Sequence, residues 1–303
     1  MTPIAFIGLG NMGGPMAANL ARAGFDPRGF DLRPAARDSA AKDGVKIAGS
    51  AREATAGADV VITMLPAGAH VLSVWTDLLP CANEGALFID CSTIDIDSAR
   101  QAHEIAREAG ARSVDAPVSG GVASAKAGTL TFMCGGDATA FAAAKPILEA
   151  MGKAILYCGG PGLGQAAKIC NNMMLGVTMI VTSEAFALAE KLGLSDQALF
   201  DAASVSSGQS WSLTRYCPAP GLTPSSPANF GYKPGFMAAL MLKDLKLAQE
   251  AAASVGASTP LGAMAAQLYG LYVASGDGGS DFSGVIEMIR GRPRNQSPPP
   301  RVG

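Results

Sequence analysis

"FIGLGNMGGPMAANLARAG", residues Phe6–Gly24, decides the fold of this chain. Gly8, Gly10 and Gly13 stand in G-x-G-x-x-G spacing, with an apolar run before them and a helical pattern after. A strand, a tight glycine turn and a helix in that order open a dinucleotide-binding βαβ unit. The glycines let backbone approach a pyrophosphate, and the helix N-terminus faces it with partial positive charge. Asn11 and Met12 complete the turn. With 37 glycines in the chain the bare spacing is weak, so the strand–turn–helix context carries the reading. Asp31 ends the next apolar run, "GFDL". A carboxylate there accepts from both hydroxyls of the adenosine ribose and repels a 2′-phosphate. This favours NAD as cofactor over NADP. Arg33, two residues on, would instead partner a phosphate.

Working outward, short apolar runs alternate with amphipathic stretches such as Met12–Ala23 and Ile96–Ala109. The strand candidates are "IAFIG", "GFDL", "VVITMLP", "ALFIDCS", "SVDAPV", "LTFMCGG" and "AILYCG". Such runs fit strands buried on both faces of a mostly parallel, doubly wound sheet. From Gly162 the pattern changes to long helical stretches. "LGQAAKICNNMMLGVTMIVTSEAFALAEKLGL" contains no Pro and is closed by Gly193. "KPGFMAALMLKDLKLAQEAAASVG" and "TPLGAMAAQLYGLYVASG" follow, the latter with Pro260 in its first turn. No strand is expected after residue 160. The expected fold is an α/β Rossmann-type doubly wound N-terminal domain plus an all-α C-terminal domain joined by a long helix. Its boundaries are 1–161 for the dinucleotide domain and 162–290 for the helical domain, with 291–303 a flexible tail. That basic, Pro-rich end, from Arg290 on, reads as frayed, and its four arginines would otherwise touch an anion or a partner.

Charged residues make up 16% of the chain and hydrophobic ones 49%, with a formal net charge of −2. Neither sign accumulates, which argues against nucleic acid or a membrane surface as partner. Six cysteines without CxxC spacing and two isolated histidines, His70 and His103, make no metal-ligand cluster, so no metal is expected. The cysteines read as small core residues in a reducing compartment, Cys170 included. The opening "MTPIAFIGLG" lacks a basic leader, and "MMLGVTMIVTSEAFALA" is broken by Glu184 and short for a bilayer. A cytoplasmic protein, or a matrix protein after processing, is the expectation.

"MLPAG" and "CSTI" fall at strand C-termini, where open sheets bind ligands. Leu65 and Pro66 either line the adenosine side or simply end and pack the strand. Thr93 can reach a nicotinamide with its hydroxyl. In "GLGQAAKICNN", Lys168 and Asn172 sit one helical turn apart on one face, amid small and apolar residues. Two such polar groups are either solvated or engaged in chemistry.

Four motifs in order, "GLGNMGGPMA", "DAPVSGG", "GLGQAAKICNN" and "KDLKLA", closely resemble the 3-hydroxyisobutyrate dehydrogenase family, within the wider β-hydroxyacid dehydrogenases. The resemblance covers residues 2–290. It implies NAD(P)-dependent oxidation of a 3-hydroxy acid to its semialdehyde, a place in valine degradation, and a homodimer or homotetramer. Carried over residue by residue, it implies Lys168 as the proton-transfer residue and Asn172 as its partner. It implies Ser119, Gly120 and Gly121 as the substrate-carboxylate loop, and Lys243 as a group closing the cofactor site. The chemistry agrees. Oxidising an alcohol by hydride transfer needs a base for the hydroxyl proton, and desolvation lowers a lysine's pKa toward that use. Successive N–H groups in "PVSGG" suit an anion nest. For Lys243 a solvated charge beside Asp244 is the plainer alternative. Trp211 and Tyr216 are candidates for the substrate wall, and equally for core or interface.

Within the family, reductases of tartronate, glyoxylate or succinate semialdehyde and dehydrogenases of L-serine share these features. The "WSLTRYCPAPGL" stretch resembles the hydroxyisobutyrate branch more. 6-Phosphogluconate dehydrogenase is disfavoured by the shorter helical half. Imine reductases usually replace the lysine. A non-enzymatic nucleotide-sensing module of the same fold would be expected to have lost it.

Overall fold

Val60–Thr63 and Leu87–Asp90 are buried along their whole length, as strands covered on both faces must be. In the computed structural model, which describes residues 2–292, they lie at the centre of one sheet. Its strands are β1 (Pro3–Ile7), β2 (Asp26–Phe30), β3 (Lys46–Ile47), β4 (Val60–Thr63), β5 (Leu87–Asp90), β6 (Arg112–Asp115), β7 (Val118–Ser119), β8 (Leu130–Gly136) and β9 (Gly152–Gly159). The order is β3-β2-β1-β4-β5-β6-β8-β7, with β9 beside β8. β1 to β6 pair in parallel, β8 runs antiparallel to β6 and β7, and β9 is parallel to β8. The chain divides into two compact units between Lys168 and Ile169, and the sheet belongs to the first.

Side chains on a strand alternate between faces, and two cores follow from that period. Ile4, Phe6, Ile62, Leu87 and Ile89 pack with Met16 and Leu20 on one face. Ala5, Ile7, Val61 and Phe88 pack with Val71, Trp75 and Leu78 on the other. Trp75 meets Phe88 edge-on, with ring centroids 5.2 Å apart.

The register sets where loops emerge. Ile7 stands opposite Phe30 and Thr63, Thr63 opposite Asp90, and Asp90 opposite Asp115. Four neighbouring pairings therefore end in one row, and Gly8, Asp31, Met64 and Cys91 follow along a common carboxyl edge. The strand order reverses at β1, so the crevice expected of such sheets opens beside Gly8.

Three details differ from the sequence expectation. The second strand is Asp26–Phe30, not "GFDL", so Asp31 stands just beyond it. Pro27 is tolerated there because β3 pairs only with Arg28 and Gly29, and no ladder bond is lost at the proline on that side. "SVDAPV" divides into β6 and β7 around Pro117, which has no N–H for a ladder. The short β3, "KI", carries too little apolar pattern to be read.

In the second unit no strand occurs among the described residues. The helix Leu163–Lys191 runs through the division, and Gly193 follows it at φ +78°. The helices Asp196–Ser204, Trp211–Thr214, Ala238–Ser254, Pro260–Tyr272 and Val285–Ile289 succeed it. Pro260 opens its helix at a position that needs no N–H. Met179, Met241, Leu245, Tyr269 and Phe282 form the main core of this unit. Gly176 lets Leu245 approach closely, since a Cβ there would lie 3.0 Å from its methyl carbon.

At 29 residues, with a mean hydropathy of 1.4 over its most apolar window, Leu163–Lys191 is long and apolar enough to cross a membrane. The run read as short for a bilayer is the later part of this helix, which starts ten residues before it, and a mostly buried core helix meets the same measure of length and composition. In the fold 44% of the window is buried. Arg290 and Arg292, expected in a frayed tail, are ion-paired: Arg290 with Glu190 and Asp196, Arg292 with Glu190. The rest of the expected tail, residues 293–303, lies outside the described residues.

Candidate active site

The three glycines of the first turn answer to three separate constraints. Gly8 has φ +98°, and a Cβ on it would stand 2.3 Å from the Met64 carbonyl oxygen. A Cβ on Gly13 would stand 1.9 Å from the Gly8 carbonyl oxygen, where helix meets strand. One on Gly10 would meet the Arg33 guanidinium at 2.9 Å. Asn11 is exposed, and Met12 precedes the helix Gly13–Arg22, whose first turn carries no acidic side chain and no side-chain cap. Its positive end is left for an anion. This cradle, which any side chain would fill, fits the pyrophosphate of a dinucleotide.

Asp31 is buried and tied to the turn: Oδ2 accepts the Leu9 N–H at 2.9 Å and Oδ1 the Arg33 N–H at 2.8 Å. The Arg33 side chain, two-thirds exposed, ion-pairs with the same carboxylate at 3.2 Å. Burial would raise the Asp31 carboxyl, but the hydrogen bonds from Arg33 and Leu9 outweigh it and hold it below its ordinary value.

The loops after β4 and β5 are joined through Ser92. Its Oγ accepts the Leu65 N–H at 2.7 Å and donates to Asp90 Oδ1 at 2.6 Å. Thr63 Oγ1 donates to the same oxygen at 2.7 Å and accepts from the Trp75 indole at 3.2 Å. Asp90 Oδ2 is buried and has no hydrogen-bond partner among the described residues. Burial pushes the Asp90 carboxyl up to about 6, against the hydrogen bonds from Ser92 and Thr63. Leu65 and Thr93 are half-buried at these loops, and Pro66 is exposed.

Asp115, quoted in a motif but assigned no role, ends β6 and caps the long helix. Its Oδ1 accepts the Gly162 N–H and its Oδ2 the Gln165 N–H, both at 2.9 Å. A carboxylate at a helix start is stabilising, by about 1 kcal/mol for a typical cap. His103 Nε2 lies 2.9 Å from Asp115 Oδ1 and Nδ1 lies 2.7 Å from Ser113 Oγ, so this histidine is part of a buried pair. Lys168 follows one turn into the helix and is buried. Ser119 ends β7, and Gly120 and Gly121 turn at φ +130° and +67° into the helix Gly121–Ala127. Side chains rarely adopt that pair of conformations.

In the second unit Asn172 is buried and donates through Nδ2 to Asp244 Oδ2 at 2.5 Å. Asp244 is a partner that the sequence reading missed, although it stands in the quoted "KDLKLA". Lys243 Nζ lies 3.9 Å from Asp244 Oδ1, with about a third of its side chain exposed. Trp211, 52% exposed, stacks on Tyr216 at 5.0 Å, and Tyr216 stacks on Phe282 at 5.3 Å. The Tyr216 hydroxyl donates to Asp281 Oδ2 at 2.9 Å. Burial and then the Asp281 charge push its pKa upward, so it stays a neutral donor. Trp211 is thus about half exposed and stacked on an anchored ring. All six cysteines are free thiols, and Cys170 is exposed, not a core residue as expected. Among the described residues no three His, Cys, Asp or Glu side chains are grouped to hold a metal ion. A cavity of about 280 Å³, lined by Thr2, Phe25, Asp59 and Arg112, lies at the amino ends of the strands and contains none of these residues.

A glycine turn at a topological switch point, with an acidic residue beyond the second strand, defines the class of dinucleotide-binding oxidoreductase domains. Residues 3–160 match the family model described as the NAD-binding domain of 6-phosphogluconate dehydrogenase. Residues 162–289 match the one described as NAD-binding of NADP-dependent 3-hydroxyisobutyrate dehydrogenase. The chain is 53% identical to a probable 3-hydroxyisobutyrate dehydrogenase of Mycobacterium tuberculosis, over 96% of this chain and 99% of that one. It is 51% identical to an NAD-dependent L-serine dehydrogenase of Pseudomonas aeruginosa, over 95% and 98%. A solved structure of the Mycobacterium tuberculosis 3-hydroxyisobutyrate dehydrogenase with L-serine superposes with a TM-score of 0.92, covering 96% of this chain and 99% of that one. The chain belongs to the 3-hydroxyisobutyrate dehydrogenase family.

Proposed function

We propose that the protein is an NAD-dependent 3-hydroxyacid dehydrogenase that oxidises 3-hydroxyisobutyrate, or a close relative such as L-serine, to the corresponding semialdehyde. The observation that carries this reading is Lys168, buried one turn into a helix that Asp115 caps, in the same unit as the glycine turn. NAD, when bound, accepts the hydride from the carbinol carbon. Gly8, Gly10 and Gly13, with Asn11 and Met12, hold its pyrophosphate. Asp31 takes the adenosine ribose, Leu65 and Pro66 flank the adenosine, and Thr93 bonds the nicotinamide. Lys168 in its neutral form takes the hydroxyl proton as the carbonyl forms, and returns it in the reverse reaction. Asn172 orients the reacting oxygen or the lysine, and Ser119, Gly120 and Gly121 bind the carboxylate. Lys243 adds positive charge at the cofactor, and Trp211 and Tyr216 form the wall that sets substrate size.

L-Serine stands as a second substrate because a 51% identical relative is named for it and a 53% identical relative was solved with it. Both molecules are small carboxylates with a hydroxyl on the third carbon, so one loop and one base serve either. We place the enzyme in the cytoplasm and in valine degradation, acting as a homodimer or homotetramer. The test is NADH absorbance on mixing protein and NAD with racemic 3-hydroxyisobutyrate, L-serine and a panel of 3-hydroxy acids. Tartronate semialdehyde, glyoxylate and succinate semialdehyde are run in the reductive direction. Turnover of 3-hydroxyisobutyrate or L-serine is expected to lead, and no turnover of any 3-hydroxy acid would overturn the reading.

A further inference from the structure

One side-chain amide joins the long helix to the loop after β5. Gln165 lies in the helix's first turn, three residues before Lys168, and is fully buried. Its Nε2 donates to the Ser92 carbonyl at 2.7 Å, and its Oε1 accepts the Ile94 N–H at 3.2 Å. These are the two peptide groups that flank Thr93. The amide therefore grips the backbone on both sides of the residue assigned to the nicotinamide.

Both ends of this link are themselves held. On the helix side, Asp115 accepts the Gln165 N–H at 2.9 Å, and His103 braces that carboxylate. Two glycines remove any side chain between helix and sheet. A Cβ on Gly164 would lie 2.4 Å from the Met133 carbonyl oxygen, and one on Gly135 would lie 2.6 Å from the Gly164 nitrogen. On the loop side, the Ser92 hydroxyl bridges Asp90 and the Leu65 N–H. The turn has little freedom to slide or rotate.

We propose that Gln165 is a positioning residue, whose amide clamps both peptide groups of Thr93 to the turn preceding Lys168 and so fixes the spacing of the nicotinamide contact and the base. The inference rests on the reading of Lys168 as the proton-transfer residue. Reaction rates respond steeply to such spacing, since a misplacement of about 1 Å can cost on the order of 100-fold.

The test compares Gln165→Met, Gln165→Glu and Lys168→Ala with the parent enzyme. Methionine keeps the length and loses both hydrogen bonds. A protonated glutamic acid donates to the Ser92 carbonyl and accepts from Ile94 as the amide does, whereas the ionised form sets oxygen against oxygen. The charged and titratable groups around the clamp are Asp115 with His103, Asp90 behind Ser92, Lys168 one turn on, Arg100 packed against Gly162 at the helix start, and Asp95 next to Ile94. Burial and the Asp115 carboxylate favour protonation of the introduced acid. Asp90 adds to this only above about pH 6, where it is charged, and Lys168 opposes it. Gln165→Met is expected to lower kcat about 10-fold or more at every pH, with the KM for NAD changed less than about threefold. The rate of Gln165→Glu relative to the parent is expected to climb as pH falls from about 8 to about 5.5, opposite to the demand of a general base. A Gln165→Met kcat within about twofold of the parent, or a flat Gln165→Glu ratio, overturns the clamp. Retained NADH binding reports folding, and Gln165→Met alone decides if the charged variant does not fold. Lys168→Ala with parental kcat would sink the base assignment. An inactive Lys168→Ala beside a parental Gln165→Met would sink only the clamp.

Discussion

Asn172 and Asp244, 72 residues apart in the chain, are joined by a buried hydrogen bond of 2.5 Å. Asn172 Oδ1 also accepts from Asn171 Nδ2 at 3.0 Å, so the amide is held at both ends. Its orientation is set by these neighbours before any substrate arrives. Asp244→Ala should therefore reproduce the defect of Asn172→Ala, each lowering kcat about 10-fold. The double variant should lose little more, because residues in one hydrogen-bonded unit act non-additively. Steady-state kinetics of the cycle check this. Losses that multiply would show that the two side chains act apart.

Lys168→Ala should lower kcat by at least about 100-fold, the lower end of what a general acid–base group supplies. NAD affinity should hardly change, because the pyrophosphate turn is elsewhere in the unit. Lys168→Arg should not restore the rate, since a guanidinium stays protonated at any workable pH. An arginine variant near the parental rate would make Lys168 a charge anchor and remove its role as base.

The Asp31–Arg33 pair bears on cofactor choice. Asp31→Ala should erase the proposed preference for NAD over NADP, because a carboxylate at that position would accept from the ribose and repel a 2′-phosphate. Arg33→Ala should raise the KM for NADP about threefold or more without raising that for NAD, since the guanidinium is the positive group beside the carboxylate. Kinetics with both cofactors decide. An unchanged preference in Asp31→Ala refutes the ribose assignment.

Asp90 should leave a trace in the pH dependence of stability. Its carboxyl is raised by burial to about 6 in the fold, against about 3.9 for an unperturbed aspartate. The folded state then holds the proton more tightly than the unfolded state. Its contribution is full below about pH 4 and is lost as pH rises through about 6, on the order of 2–3 kcal/mol. Asp90→Asn keeps an acceptor for Thr63 and Ser92 but does not titrate. Urea unfolding at intervals from pH 4 to pH 7 should show a flatter profile for the variant. Superimposable profiles would mean that Asp90 is ionised throughout.

Met174, Val181 and Leu188 recur every seven residues on the long helix and are 60%, 55% and 61% exposed. A stripe of that spacing suits packing against another helix, and a second copy of the chain is the proposed partner. Val181→Glu should shift sedimentation at micromolar concentration from dimer or tetramer toward monomer. A monomeric parent would dispose of the proposal.

Much of the fold was legible because its signals are local. β4 and β5 announce themselves as apolar runs, and Gly8 and Gly13 stand where no other residue fits. The 29-residue helix declares itself by the lack of Pro and the glycine after it. Where local signals mislead, the cause lies in pairing. Pro27 argues against a strand that forms because its outer neighbour joins only one residue later.

The partners in the candidate site were not legible. The sequence by itself determined the glycine turn, the strand–helix alternation and the turn on which Lys168 and Asn172 stand. Each of these depends on backbone geometry within a few residues. Only the tertiary structure decided that Asp115 caps the long helix, that His103 braces Asp115, that Gln165 grips the flanks of Thr93, and that Asp244 holds Asn172. Most of these partners are separated by about 50 to 70 residues, and only strand order, register and helix packing bring them to hydrogen-bond distance. No periodicity in the chain encodes such a meeting, because one hydrogen bond between distant residues leaves no repeat to read.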